Sequence, residues 1–314
     1  MPNIFRMSTR DGLHKIPVIR WIVTFLEKIR LPGFEGMSVY EILEMYITGI
    51  IKGTLTTRAG SIAFSFFIAL FPFALFILTL IPFVPIPDFQ EDFMELIFNF
   101  TPSQSSKEAI AYVLNDIANN KYAELLSFGF FLSMFLMTNG VNAILNSFEY
   151  TYHNIQTRTI VRQYFVSLII TLILAVILII SVAGLIFFEI FINDLKVKGL
   201  VVDAEFWMKM IRLLFLIMII LISFSILFYF GTREGRRLAF FSPGTILTTL
   251  LFILNFEIFG IYIEKFAQYN KLYGSIGTVL VIMLFIYLNS IILLLGFELN
   301  TTITKLHEEK NVKS

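Results

Sequence analysis

The sequence predicts an all-α, polytopic membrane protein: six transmembrane helices, interfacial helices at the N-terminus, and short extracytoplasmic helices between spans one and two. Three observations predict it. Of 314 residues, 57% are hydrophobic and only 15% charged, where a soluble domain carries about 25% charged residues. The mean hydropathy is +0.80. The charges that exist leave six uncharged gaps, at 59–87, 125–148, 163–188, 213–232, 238–256 and 272–297. A helix needs about 20 apolar residues to cross hydrocarbon, because no water is there to satisfy its backbone. The spans are accordingly expected near 61–83, 125–148, 164–190, 210–230, 243–263 and 274–298, with Glu257 interrupting the fifth.

Residues 1–57 read as a cytoplasmic N-terminal segment, 58–300 as the transmembrane domain and 301–314 as a cytoplasmic tail. No cleavable leader is expected, because Arg20 breaks the apolar stretch from Ile16 to Leu26 and no A-x-A site follows. Instead, one amphipathic helix is predicted from Pro17 to about Arg30, with Trp21, Phe25 and Ile29 on one side. A second opens with Ser38-Val-Tyr-Glu41, the spacing of a capping box, and leads into an elbow before Arg58.

Span one carries Pro72 near its middle, which removes a helix hydrogen bond and predicts a kink, either a hinge or a static packing feature. The connection at 84–124 is acidic. Asp88-Phe-Gln-Glu91 would cap one short helix, with Phe89, Phe93, Leu96, Ile97 and Phe100 on one face, and a second would follow Pro102. Span five opens with Ser242-Pro243-Gly244, a Ser N-cap followed by Pro in the first helical position. From Tyr262 to Gly277 the chain is aromatic and polar, suited to an interfacial belt or to an outer gate. Lys and Arg are about twice as frequent in the pieces on the side of the two termini as on the other side, which predicts that both termini are cytoplasmic.

Composition also excludes function classes. There is no cysteine, so no disulfide, thiol nucleophile or Cys-based metal centre. The three histidines, at 14, 153 and 307, are far apart, and no phosphate loop or nucleophile elbow occurs. A net charge of +1 gives no basic surplus for binding nucleic acid. The sequence therefore predicts neither an enzyme nor a cofactor, and names no catalytic or metal-binding residue.

Polar residues inside spans are the informative ones, since an unpartnered ionised group in the membrane interior is expensive. Asn139, Asn142, Asn146 and Glu149, spaced 3, 4 and 3, share one stripe of span two. The stripe is either the polar wall of a substrate pathway or hydrogen-bonding glue between helices. Glu257 is the one carboxylate well inside a span; it would accept a coupling proton, or else pair with a neighbouring helix or reach the outer headgroups. Asn255 and Asn289 are placed to face the same interior. Glu189 and Glu298, at span ends, are expected to be solvated or to snorkel.

Five elements taken together resemble the YihY/BrkB family of bacterial inner-membrane proteins, over roughly residues 40–305. They are Arg58-Ala-Gly-Ser-Ile-Ala-Phe-Ser with Ala69-Leu-Phe-Pro72; Ala143-Ile-Leu-Asn146; Ser242-Pro243-Gly244; Tyr269-Asn-Lys-Leu-Tyr273-Gly274-Ser-Ile-Gly277; and Leu295-Gly296-Phe-Glu298-Leu-Asn300. The resemblance implies a multi-pass protein of the bacterial inner membrane with cytoplasmic termini. A former family label, ribonuclease BN, finds no support in these residues. The expected role is a transporter or translocase of lipid or another amphipathic solute, with membrane lipids as surroundings and substrate. The alternative is a non-transporting scaffold in envelope assembly, with an oligomeric or envelope-protein partner left open.

Overall fold

The computed structural model describes residues 17–29, 36–51, 53–80, 123–151, 158–198, 204–232, 239–266 and 275–313. The helices predicted within 84–122, and the Tyr269–Gly274 element, lie outside the described residues. Eight helices follow in order among them: α1 (Pro17–Lys28), α2 (Val39–Ile51), α3 (Thr54–Leu80), α4 (Ala123–Glu149), α5 (Ile160–Val197), α6 (Ala204–Gly231), α7 (Pro243–Phe266) and α8 (Ser275–Lys313). Six of these, α3 to α8, are long and apolar enough to cross a membrane.

The two N-terminal helices form where the sequence predicts them, the second at its capping box. Glu41 Oε2 accepts a hydrogen bond from the Ser38 backbone N–H at 2.9 Å, and the Glu41 N–H donates to Ser38 Oγ at 3.3 Å, so each residue satisfies an orphan donor of the other. The elbow into α3 is made at Gly53, whose φ of +73° is open to glycine at little steric cost. Phe25, Leu43 and Ile47 remain exposed on α1 and α2, apolar surface of the kind an interfacial helix immerses.

The six long helices are arranged as a ring in which each touches its neighbour in sequence, and α8 closes it against α3. All hydrogen bonds of a helix backbone are internal, so in lipid the ring is held by close packing rather than by hydrophobic burial. One end of the ring carries the start of α3 and the Glu298 region of α8; it is called here the Arg58 end. At this end the middle of the ring is filled. Phe148 of α4 stacks on Phe297 of α8 with ring centroids 3.9 Å apart, and Phe228 of α6 meets both edge-on at 5.6 and 5.7 Å. All three are buried.

Small residues allow the closest approaches. A Cβ on Gly244 would overlap the carbonyl oxygen of Gly296, and one on Gly296 would overlap Thr248 Oγ1, so α7 and α8 touch nearly backbone to backbone. The start of α7 is capped as expected: Ser242 Oγ accepts the Thr245 N–H at 3.3 Å, and Asn300 Oδ1 accepts the Gly244 N–H at 2.8 Å from across the joint. α3 continues as helix through Pro72 to Leu80, and α8 runs unbroken past the expected span end to Lys313. No glycine or proline follows Gly296 to stop it.

Candidate functional site

The polar residues of the spans gather at the Arg58 end. Its organising contact joins residues 240 positions apart: Arg58 Nη2 donates to Glu298 Oε1. The same guanidinium donates through Nη1 to the Ser147 carbonyl at 2.9 Å and to Thr151 Oγ1 at 2.8 Å, and through Nε to the Thr54 carbonyl at 3.0 Å. Arg58 thus ties α3 to α8 and also caps the last turn of α4, where helix carbonyls lack partners and the dipole favours a cation. Arg158 does the same for α6, donating to the Gly231 and Phe230 carbonyls at 2.9 and 3.1 Å. Glu298 is not solvated as its place at a span end suggested: its side chain is 17% exposed and its partner's 13%. The pair is not legible in the sequence, because an arginine before one span and a glutamate at the end of another carry no mutual signal.

Beside the pair lies a cavity of about 1430 Å³, walled by α3, α4, α8 and the residues just after α4. Asn139, Asn142, Asn146 and Glu149 line it together, as their spacing predicted. Opposite them stand Thr54, Thr57, Ser61 and Ser65 of α3, then Thr301, Thr302 and Lys305 of α8. The serines and threonines were not foreseen, since in a membrane helix such residues usually bond back to their own backbone. Most do so here: Thr57, Ser65, Thr301 and Thr302 each donate to the carbonyl four residues earlier.

The asparagines do two things. Asn146 Oδ1 accepts from Gln163 Nε2 at 2.6 Å and Asn142 Oδ1 accepts from Ser167 Oγ at 3.3 Å, so both bind α4 to α5. Both also face the cavity.

The remaining predicted residues lie elsewhere. Asn255 Nδ2 donates to Asn289 Oδ1 at 3.1 Å, a bridge between α7 and α8, and neither residue lines the cavity. Glu257 is exposed on α7 and does not line the cavity. Pro72 is partly buried within α3, beyond the cavity's last lining residue on that helix, Ser65. Among the described residues, no group of three or more His, Cys, Asp or Glu is gathered to hold a metal ion.

Several of the elements that resemble a family in sequence converge at this end: Arg58, Asn146, the Gly244 cap, and Gly296, Glu298 and Asn300. A family model described as virulence factor BrkB matches residues 47–314. The chain belongs to this family. Among BrkB relatives, the putative ribonuclease-like protein YfkH of Bacillus subtilis is 28% identical over 254 residues, covering 79% of this chain and 90% of the relative. The UPF0761 membrane protein NTHI0384 of Haemophilus influenzae is 23% identical over 263 residues, 82% of this chain and 93% of the relative. A third, UPF0761 membrane protein NT05HA_1801 of Aggregatibacter aphrophilus, is 21% identical over 267 residues. No solved structure matches the chain.

Proposed function

We propose that this BrkB-family protein is a translocase or transporter of lipid or a similarly amphipathic solute, with the cavity at the Arg58 end as its vestibule. One observation carries the reading: a large cavity lined mainly by polar residues is cut into a bundle that elsewhere exposes mostly apolar side chains, and its polar walls give way to exposed aromatic and aliphatic side chains. On α3, Thr57 and Ser61 are succeeded by Phe64, Ile68 and Phe71, all exposed. On α4, Asn139 is succeeded by the exposed Phe135, Phe131 and Phe128. Both helices change character about 15 Å from the Arg58 end, at 1.5 Å per residue, which is half of a roughly 30 Å hydrocarbon layer. A cavity of this volume exceeds the roughly 300–1,000 Å³ of sites for small ligands. A polar head with apolar chains fits such a surface better than a hydrophilic solute does.

The Arg58 end faces the cytoplasm of a bacterial inner membrane in this reading, supported by the excess of Lys and Arg in the segments on that side. Neither Glu257 nor the Asn255–Asn289 bridge belongs to the path. The role is non-enzymatic, and the ribonuclease-like wording in the name of the Bacillus relative is not carried over. Reconstituted protein should move acyl-labelled fluorescent phospholipid between leaflets faster than protein-free vesicles, read by dithionite bleaching; equal rates with folded protein overturn the proposal.

A scaffold that transports nothing is favoured by one feature, the Asn142–Ser167 and Asn146–Gln163 bonds, which are inter-helix glue. It predicts no lipid movement and a defect only in assembly when these bonds are removed.

A further inference from the structure

The chemistry of the α4 stripe changes in a fixed order along the helix axis, and that order specifies a headgroup. From the far end, Phe128, Phe131 and Phe135 precede Asn139, Asn142 and Asn146, and Glu149 comes last. Their spacings of 3 and 4 keep all seven on one face. The three phenylalanines are exposed, Phe131 to 70%, and the four polar residues line the cavity.

The middle tier offers donors. Asn142 and Asn146 spend their carbonyl oxygens on Ser167 and Gln163, and among the described residues their NH₂ groups make no hydrogen bond, nor does Asn139 make any. Both amides therefore keep their two N–H donors for a ligand, beside the second lone pair of each oxygen. The complementary ligand group is rich in acceptors, as phosphodiester and ester oxygens are. Among the described residues, however, the cavity wall carries no surplus positive charge. Arg58 is neutralised by Glu298, and the other charged residues on the wall, Glu149 and Lys305, are of opposite sign. A headgroup with a net negative charge would require surplus cation here. The group that satisfies both constraints carries a phosphodiester and an amine and is neutral overall.

We propose that the cavity takes a zwitterionic aminophospholipid of the phosphoethanolamine type. Its acyl chains lie along Phe128, Phe131 and Phe135, its ester and phosphate oxygens accept from the asparagine amides, and its ammonium is directed to Glu149 at the Arg58 end. The axial distances suit the molecule: Phe128 to Asn139 spans about 16 Å and Asn139 to Glu149 about 15 Å at 1.5 Å per residue. This rests on the reading of the cavity as a lipid vestibule and adds the headgroup to it.

Native mass spectrometry of the full chain in detergent tests it without requiring transport, using phosphatidylethanolamine, phosphatidylglycerol and a glycosyl diacylglycerol of matched chains, and soluble glycerophosphoethanolamine. The amine lipid should be retained about tenfold more strongly than either other lipid. Glu149→Gln should bring it down to the level of phosphatidylglycerol while leaving that lipid's binding unchanged. Asn139→Leu, which breaks no described hydrogen bond, should weaken all phospholipids alike. Equal or better binding of phosphatidylglycerol or the glycolipid, or a preference untouched by Glu149→Gln, overturns the headgroup assignment. Soluble glycerophosphoethanolamine binding as tightly as the lipid overturns the lipid part. Leaflet exchange without headgroup preference sinks this inference and leaves translocation standing; preference without exchange does the reverse.

Discussion

Arg58 and Glu298 form an ion pair between the start of the first span and the last, and from the same guanidinium two further hydrogen bonds reach the end of α4. Three of the cavity's walls are therefore fixed to one another by a single side chain. Removing one member of a largely buried pair leaves the other charge uncompensated, a cost of about 3–5 kcal/mol; the partial exposure here puts the expectation at the lower limit. Glu298→Ala should lower the thermal midpoint of detergent-purified protein markedly. Arg58→Ala should lower it further, because it also uncaps α4. A double replacement by Met and Leu should recover part of the loss in Arg58→Ala, with α4 still uncapped. A midpoint unchanged in either single variant would show the pair to be dispensable.

Translocation and glue make different demands on Asn146. An inter-helix hydrogen bond in a membrane contributes about 0.6 kcal/mol on average, with a maximum near 2. Asn146→Leu should therefore cost little stability, while leaflet exchange of labelled lipid should fall at least tenfold as the donor tier is interrupted. Gln163→Leu removes the same bond to α5 but leaves the Asn146 amide in the cavity, and should retain exchange within about threefold. Equal effects of the two variants on exchange would assign Asn146 to packing alone.

How much of this could be read in advance depends on whether the signal lies within one helix. The spans were legible because charge is so costly in hydrocarbon that its absence outlines them. The stripe from Asn139 to Glu149 was legible because helix geometry fixes which residues of one segment share a face. The Arg58–Glu298 pair was not, since the ring closure that brings α8 to α3 is a matter of tertiary packing. Ser61 and Ser65 stand in a family-like element, but nothing within one helix shows that they face a cavity. Phe128, Phe131 and Phe135 could not be singled out among 36 phenylalanines until their exposure was known. Glu257 stood out by its composition-level rarity, but rarity does not say what a side chain lines, and this one is exposed and away from the cavity wall.

That position away from the cavity gives a clear expectation. Glu257 lies 14 residues into α7, about 21 Å along its axis at 1.5 Å per residue, among exposed Leu254, Ile258 and Ile261. It touches none of the cavity wall. Glu257→Gln should leave lipid exchange within twofold of the unmodified protein. Glu257→Leu should ease membrane insertion, since an acidic side chain at a helix centre costs about 2.5–3.5 kcal/mol on insertion scales. A collapse of exchange in Glu257→Gln with normal folding would bring this carboxylate into the path after all.

The α7–α8 joint sets how rigidly the ring is closed. Gly244 and Gly296 leave no room for a methyl group: the overlap on one side is with backbone, which cannot rotate away, and on the other with Thr248, which is itself hydrogen-bonded to the Gly244 carbonyl at 2.7 Å. Forcing a methyl group into a filled contact costs about 1–3 kcal/mol, and here it also lengthens the Asn300 bond that caps α7. Gly244→Ala should be the more damaging of the two, because its obstacle is the Gly296 carbonyl. Gly296→Ala should be partly rescued by Thr248→Ala, which deletes the overlapping hydroxyl. By contrast Gly260→Ala, with open space around it, should leave the thermal midpoint within a degree or so of the unmodified protein or raise it slightly through better helix propensity. Thermal midpoints of the four variants, measured in one detergent, decide the matter. Equal behaviour of Gly244→Ala and Gly260→Ala would mean that α7 and α8 are not in backbone contact.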